Sequence, residues 1–168
     1  MTTRVVIVGD THLPRFGRSL PEPLTVALGA ADRILHVGDH TERFVVELLA
    51  AFAPTDAVAG NNDPPDLVAR LGTTGVVTVE AVRIGMTHGH LGPGRTTVDR
   101  AFQAFAASVP PVHAVAFGHS HQPRIERRDG IWLLNPGSPT DRRRQPTFSF
   151  ISLDVDGSVL RPELVTFR

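Results

Sequence analysis

The chain has 168 residues, 41% hydrophobic and 20% charged, with 17 basic against 17 acidic side chains. That length suffices for one domain with a real core, residues 1–168, and the balanced charge supplies no global field to recruit nucleic acid or a membrane surface. The absence of cysteine excludes disulfides and thiolate metal sites.

The opening MTTRVVIVGD reads as a first buried strand and lacks the apolar core and small-residue cleavage site of a leader. No apolar run approaches the ~20 residues of a spanning helix, so the expected location is the cytoplasm. Strand RVVIVG, helix LPEPLTVALGA, strand RILHVG, helix TERFVVELLAAF and strand DAVAG then alternate in α/β rhythm. In the second helix Phe44, Val45, Leu48, Leu49 and Phe52 are expected on one buried stripe, and Val98, Ala101, Phe102 and Phe105 do the same in TTVDRAFQAFAAS. Asp63, before PPDLVARL, is expected to cap a helix whose first position is Pro64. The last third changes to strands, VHAVAF, RIERR, IWLLN, TFSFISLDV and VLRPELVTF, with hairpin turns at Asp129-Gly130 and Asp156-Gly157. The expected architecture is one domain with two sheets.

An apolar run ends in Asp, Asn or His around a glycine five times. The instances are VVIVGDTH (Asp10, His12), ILHVGDH (Asp39), AVAGNND (Asn61), VRIGMTHGH (His88) and AVAFGHSH (His119, His121). Sites in open α/β sheets form outside the carboxyl ends of strands, so the five segments can converge on one crevice. Two carboxylates, one amide oxygen and four imidazoles suit borderline divalent ions such as Mn²⁺, Fe²⁺, Ni²⁺ or Zn²⁺. Seven donors are too many for one ion. With one carboxylate bridging, two ions about 3.5–4 Å apart each receive four donors and keep open positions. Such a site carries net positive charge, welcomes phosphate, and can hold a bridging hydroxide as the nucleophile of phosphoester hydrolysis.

These motifs resemble the calcineurin-like metallophosphoesterases, in particular their small single-domain bacterial and archaeal phosphodiesterases. The likeness runs in family order through GDTHLP, HVGDH, GNND, THGHL, GHSHQP and NPGS across essentially the whole chain. It implies two mixed β-sheets packed face to face and flanked by helices. It also assigns Asp10, His12, Asp39 and His121 to one ion and Asp39, Asn61, His88 and His119 to the other, with Asp39 as the bridge. Manganese is the expected metal, and a phosphodiester the expected substrate ahead of a monoester. Relatives often self-associate, which leaves a homo-oligomer open.

The chain departs from the family at one point: many members place a histidine after the metal-binding asparagine as a proposed leaving-group acid, where this chain has Asn62. An amide supplies no proton at useful pKa, so His90 or a metal-bound water becomes the candidate. Outside the donor set, His36 reads as a satisfied core residue and His113 as surface. His40 is assigned to a cleft lining or a solvated loop. The run Arg142, Arg143, Arg144 reads as a solvated face, so no nucleic-acid partner is expected.

Two other functions compete. GHSHQ nearly matches a G-x-S-x-G elbow with Ser120 as nucleophile, but Gln122 replaces its last glycine and a strand follows where the elbow needs a helix. A protein-binding scaffold of the same fold is the stronger rival, because some relatives of the fold act as protein-binding subunits after losing donors or substrate access.

Overall fold

The computed structural model describes residues 1–168. In chain order the elements are β1 (Thr2–Val8), α1 (Glu22–Gly29), β2 (Arg33–His36), α2 (Phe44–Ala50), β3 (Thr55–Ala57), α3 (Pro65–Leu71) and β4 (Thr74–Val79). There follow β5 (Val82–Thr87), α4 (Thr97–Phe105), β6 (Ala114–Ala116), β7 (Arg124–Arg128), β8 (Ile131–Asn135), β9 (Phe148–Asp156) and β10 (Val159–Phe167).

They form two mixed five-stranded sheets, ordered β10-β9-β1-β2-β3 and β4-β5-β6-β8-β7. β1, β2 and β3 run parallel, as do β5, β6 and β8, while the outer strands β9, β10, β4 and β7 pair antiparallel. The continuous apolar run of β1 follows from burial on both faces. Val5 and Ile7 enter the core between the sheets with Leu35, Ile84, Met86, Leu134 and Ile151. Val6 and Val8 face the other way, against Leu24 and Leu28 of α1 and Val45 and Leu49 of α2. On the far side Ala101, Phe102 and Phe105 of α4 cover Val115 and Leu133. The layers are thus helix, sheet, sheet, helix.

Local chemistry sets the element ends. Thr96 accepts the Asp99 N–H while the Asp99 carboxylate accepts the Thr96 N–H, a capping box that starts α4. Asp129 and Gly130 both take positive φ, as a two-residue type I′ hairpin needs. The last hairpin turns one residue later than the sequence suggested, at Gly157-Ser158 between the paired Asp156 and Val159. Gly157, at φ +60°, takes the first central position. The α2 stripe is also rotated from expectation: Val45, Val46 and Leu49 are buried, whereas Phe44 and Phe52 are 45% and 39% exposed. The helix spans only seven residues, too few for its period to fix the buried face. No helix is long and apolar enough to cross a membrane.

Candidate metal centre

The parallel strands of both sheets end on one edge, and the loops that leave them carry all seven predicted donors. Asp10 and His12 follow β1, Asp39 follows β2, Asn61 follows β3, His88 follows β5, and His119 and His121 follow β6. Five of these residues, Asp10, His12, Asp39, His119 and His121, sit at positive φ between 45° and 69°. L-residues pay for that backbone state, and it persists where surroundings enforce it to aim side chains.

The aim is inward. Asp10 Oδ1 lies 3.3 Å from His121 Nε2, 3.8 Å from His12 Nε2 and 3.9 Å from His88 Nε2. Asp39 Oδ2 lies 3.2 Å from His88 Nε2 and 3.6 Å from His12 Nε2. The His12 and His121 rings stack at 5.3 Å on one side, the His88 and His119 rings meet edge to face at 5.1 Å on the other, and the carboxylates stand between. His119 Nδ1 and Asn61 Oδ1 meet 3.0 Å apart at the more exposed edge. The donor atoms of Asp10, His12 and His121, and separately those of Asp10, Asp39 and His88, lie mutually close enough to hold a metal ion. Asp10 belongs to both groups, so both carboxylates face both sides of the site; the single assignment of Asp10 rested on the resemblance.

The outer nitrogens fix the inner ones. His88 Nδ1 sits 2.8 Å from the Val37 carbonyl and His121 Nδ1 2.5 Å from that of Asp141. A carbonyl only accepts, so each Nδ1 carries a hydrogen, and each Nε2 faces the carboxylates, where it carries a proton or, in the neutral ring, offers its lone pair to a cation. Asp10 Oδ1 and His88 Nε2 are buried and make no aligned hydrogen bond, although each has an opposite partner at 3.2–3.3 Å, an arrangement that a cation between them satisfies. Burial alone would push His88 and His121 down; the facing carboxylates of Asp39 and Asp10 outweigh it and hold both above the ordinary imidazole value. Burial likewise opposes ionisation of Asp39, but His88 and the two Asn62 donors prevail and keep it well below the usual carboxylate range. This is an oxygen and nitrogen pocket that favours positive charge.

A family model described as the calcineurin-like phosphoesterase superfamily domain matches residues 3–158. The chain belongs to that superfamily. A probable metallophosphoesterase of Methanothermobacter thermautotrophicus is 30% identical over 159 residues, covering 95% of this chain and 90% of the relative. A Thermotoga maritima protein solved by solution NMR is 32% identical and superposes with a TM-score of 0.73, over 98% of this chain and 99% of the other. The Entamoeba histolytica Vps29 structure complexed with zinc shares the fold at 22% identity and TM-score 0.75, covering 99% and 100% of the two chains. The two-sheet architecture is therefore that of the calcineurin-like phosphoesterases, whose Asp and His cluster here is suited to divalent metal.

Asn62 does not point a free amide at the site. Its N–H donates to Asp39 Oδ1 at 2.8 Å and its Nδ2 to Asp39 Oδ2 at 2.7 Å, so it holds the carboxylate. His90 is half-buried, its ring 5.3 Å from His88 and 6.1 Å from His119, with Nδ1 unpartnered. Burial, reinforced by His88, pushes its pKa down. Ser120 accepts from Asn135 Nδ2 at 3.1 Å, and the following segment is strand β7, so no nucleophile elbow forms.

Two expectations are corrected. Asp63 does not cap α3; Pro64 holds that position without a side-chain bond. Instead Asp63 Oδ2 accepts the N–H groups of Asp39 at 3.0 Å and Gly60 at 2.8 Å, and Oδ1 accepts that of Thr41 at 2.8 Å. It also meets His40 Nδ1 at 3.1 Å. One buried carboxylate thus clasps the Asp39 and Asn61 loops. His40 is neither cleft lining nor solvated: it is fully buried and stacks on His36 with centroids 3.7 Å apart. His36 is the satisfied core residue expected, accepting the Gly38 N–H at 3.2 Å and donating to Thr11 Oγ1 at 3.1 Å. The fourfold role of Asp63 had no sequence signal beyond its place two residues after Asn61. Gly60 packs so tightly beneath Asp39 that a Cβ there would collide with the carboxylate.

Proposed function

We propose that the chain is a single-domain, metal-dependent phosphoesterase acting on phosphodiesters in preference to monoesters. Asp10, His12, Asp39 and His121 would hold one divalent ion and Asp39, Asn61, His88 and His119 a second. The observation that carries this reading is the placement of two carboxylates between two imidazole pairs, with a buried oxygen and a buried ring nitrogen that make no aligned hydrogen bond. When bound, such ions lower the pKa of water into the neutral range and neutralise phosphoryl oxygens.

The protein's own part is positional. Val37 and Asp141 carbonyls set the His88 and His121 tautomers, Asn62 keeps Asp39 ionised and fixed, and Asp63 locks the loops beneath. His90, its pKa lowered, is mostly unprotonated at neutral pH and can donate a hydrogen bond to a leaving oxygen, though it is a weak proton source. No arginine pairs with Asp10 or Asp39, so the second negative charge of a monoester finds no further cation in the donor cluster; that supports the diester preference. Manganese is the proposed ion, and zinc, present in the Entamoeba Vps29 structure, belongs in the same trial.

The test is metal analysis of protein purified without chelator, joined to a diester and monoester panel with Mn²⁺, Ni²⁺ and Zn²⁺. About two ions per chain and chelator-sensitive diester hydrolysis are expected. Absence of hydrolysis together with a tight protein partner would replace this reading with the scaffold.

A further inference from the structure

Helix α4 packs across β5, β6 and β8 of the second sheet, and the same face of the outer strand β7 lies beside its first turn. Between them is a cavity of about 490 Å³, within the size range of small-molecule sites. Arg124, Glu126 and Arg128, which alternate onto one face of β7, form one wall, Thr96, Thr97 and Asp99 the other, and Ser120 and Gln122 the end.

Two features place this cavity beside the loops that carry the imidazoles, while no donor residue lines it. Ser120 stands between His119 and His121. Thr97 packs so closely on Gly89, the residue between His88 and His90, that a Cβ at Gly89 would come within 2.8 Å of Thr97 Cγ2. The cavity therefore adjoins both imidazole-bearing loops of the second sheet.

Its chemistry is distinctive: only one of the nine lining residues is hydrophobic, yet the charges cancel. Arg128 pairs with Asp99 at 3.0 Å and Glu126 at 3.5 Å, and Arg124 pairs with Glu126 at 2.7 Å. Two guanidiniums bound to two carboxylates offer no net field for a second phosphate, and Val98 is the one hydrophobic side chain that an alkyl or aryl group would meet. Hydroxyls of Thr96, Thr97 and Ser120, the Gln122 amide and the unused edges of the ion pairs instead offer donors and acceptors in mixed array.

We propose that this cavity is the leaving-group subsite, and that it takes a neutral, hydroxyl-rich alcohol such as a glycerol or sugar moiety. The substrate is then a phosphodiester between such a polyol and a second alcohol, an assignment that rests on the phosphoesterase reading above.

The decisive pair is methyl glyceryl phosphate against methyl propyl phosphate, which differ only in two hydroxyls. With the Mn²⁺-loaded protein, KM for the glyceryl ester is expected about tenfold lower, the worth of one or two net hydrogen bonds. Gln122→Leu and Arg124→Leu should bring that ratio within about threefold of unity. In parallel, titrating the glyceryl ester into the Zn²⁺-loaded protein should shift backbone amide resonances over residues 96–99 and 122–126, and the propyl ester should not. Equal KM values for the two esters, or a ratio that both variants leave intact, overturn the subsite. If neither ester is hydrolysed while those resonances still move selectively, the polyol site stands and the phosphoesterase reading falls; no hydrolysis and no selective shift remove both.

Discussion

The two sheets contribute opposite halves of the centre. The first, through the ends of β1, β2 and β3, brings both carboxylates, the Asn61 amide and one imidazole. The second, through β5 and β6, brings three imidazoles and no acid. Their supports differ as well. The acidic half is clasped by a buried carboxylate, Asp63, that accepts three backbone N–H groups, while the imidazole half is held by single carbonyls behind His88 and His121. Neither sheet alone holds enough charge or enough ring nitrogens for the site. The centre is therefore a product of sheet packing, and its integrity should report on the core between the sheets.

That contrast can be broken most severely at its acidic side. Asp39→Asn removes the charge that faces both imidazole pairs; the loss should reach several kcal/mol of transition-state stabilisation, on the order of a thousandfold in kcat, with ion stoichiometry reduced by metal analysis. Unchanged turnover would remove Asp39 from the proposed donor set. Ile84→Ala, a fully buried change in the core between the sheets, should cost about 2–5 kcal/mol in urea unfolding and loosen metal binding without touching a donor. Asp63→Ala unclasps the acidic half alone: about 10–100-fold weaker metal binding by calorimetry is expected, with the imidazole tautomers unchanged by NMR.

The smallest effect is electrostatic and lies beneath the acidic half. Burial, then the neighbouring His40, hold the His36 pKa well below its usual value, so the folded protein keeps this ring neutral. An unfolded chain takes up that proton below about pH 6.5. Stability from His36 is thus present above that pH and is lost as pH falls, with a slope approaching about 1.4 kcal/mol per pH unit. In metal-free protein His36→Gln should flatten the acid limb of the urea midpoint against pH, and an unaltered limb would show that the buried stack does not couple to protonation.

The convergence of the seven residues was legible because each sits at the end of an apolar run, and strand ends in parallel sheets share an edge. The hairpin Asp129-Gly130 was legible for a local reason, since two adjacent positive φ values demand those residue types. Asp63 was misread because an acid before Pro-Pro fits a helix cap as well as a loop clasp, and only the approach of Gly60, Asp39 and Thr41, from up to 24 residues away, decides between them. His40 was opaque for a related reason: burial of a loop imidazole depends on a ring four positions earlier and on the sheet beneath. The short α2 and the antiparallel strand β4, TGVVTV, carried too little pattern to orient or announce themselves.

The left-handed backbone at Asp10, His12, Asp39, His119 and His121 has a kinetic consequence. Loops held in an unfavourable twist by the layers below have already met the cost of turning their side chains toward a common centre, so an arriving cation finds a finished socket rather than a collapsing one. Capture should then be limited by diffusion and by shedding of the ion's own water, with no slow rearrangement of the chain between encounter and seating.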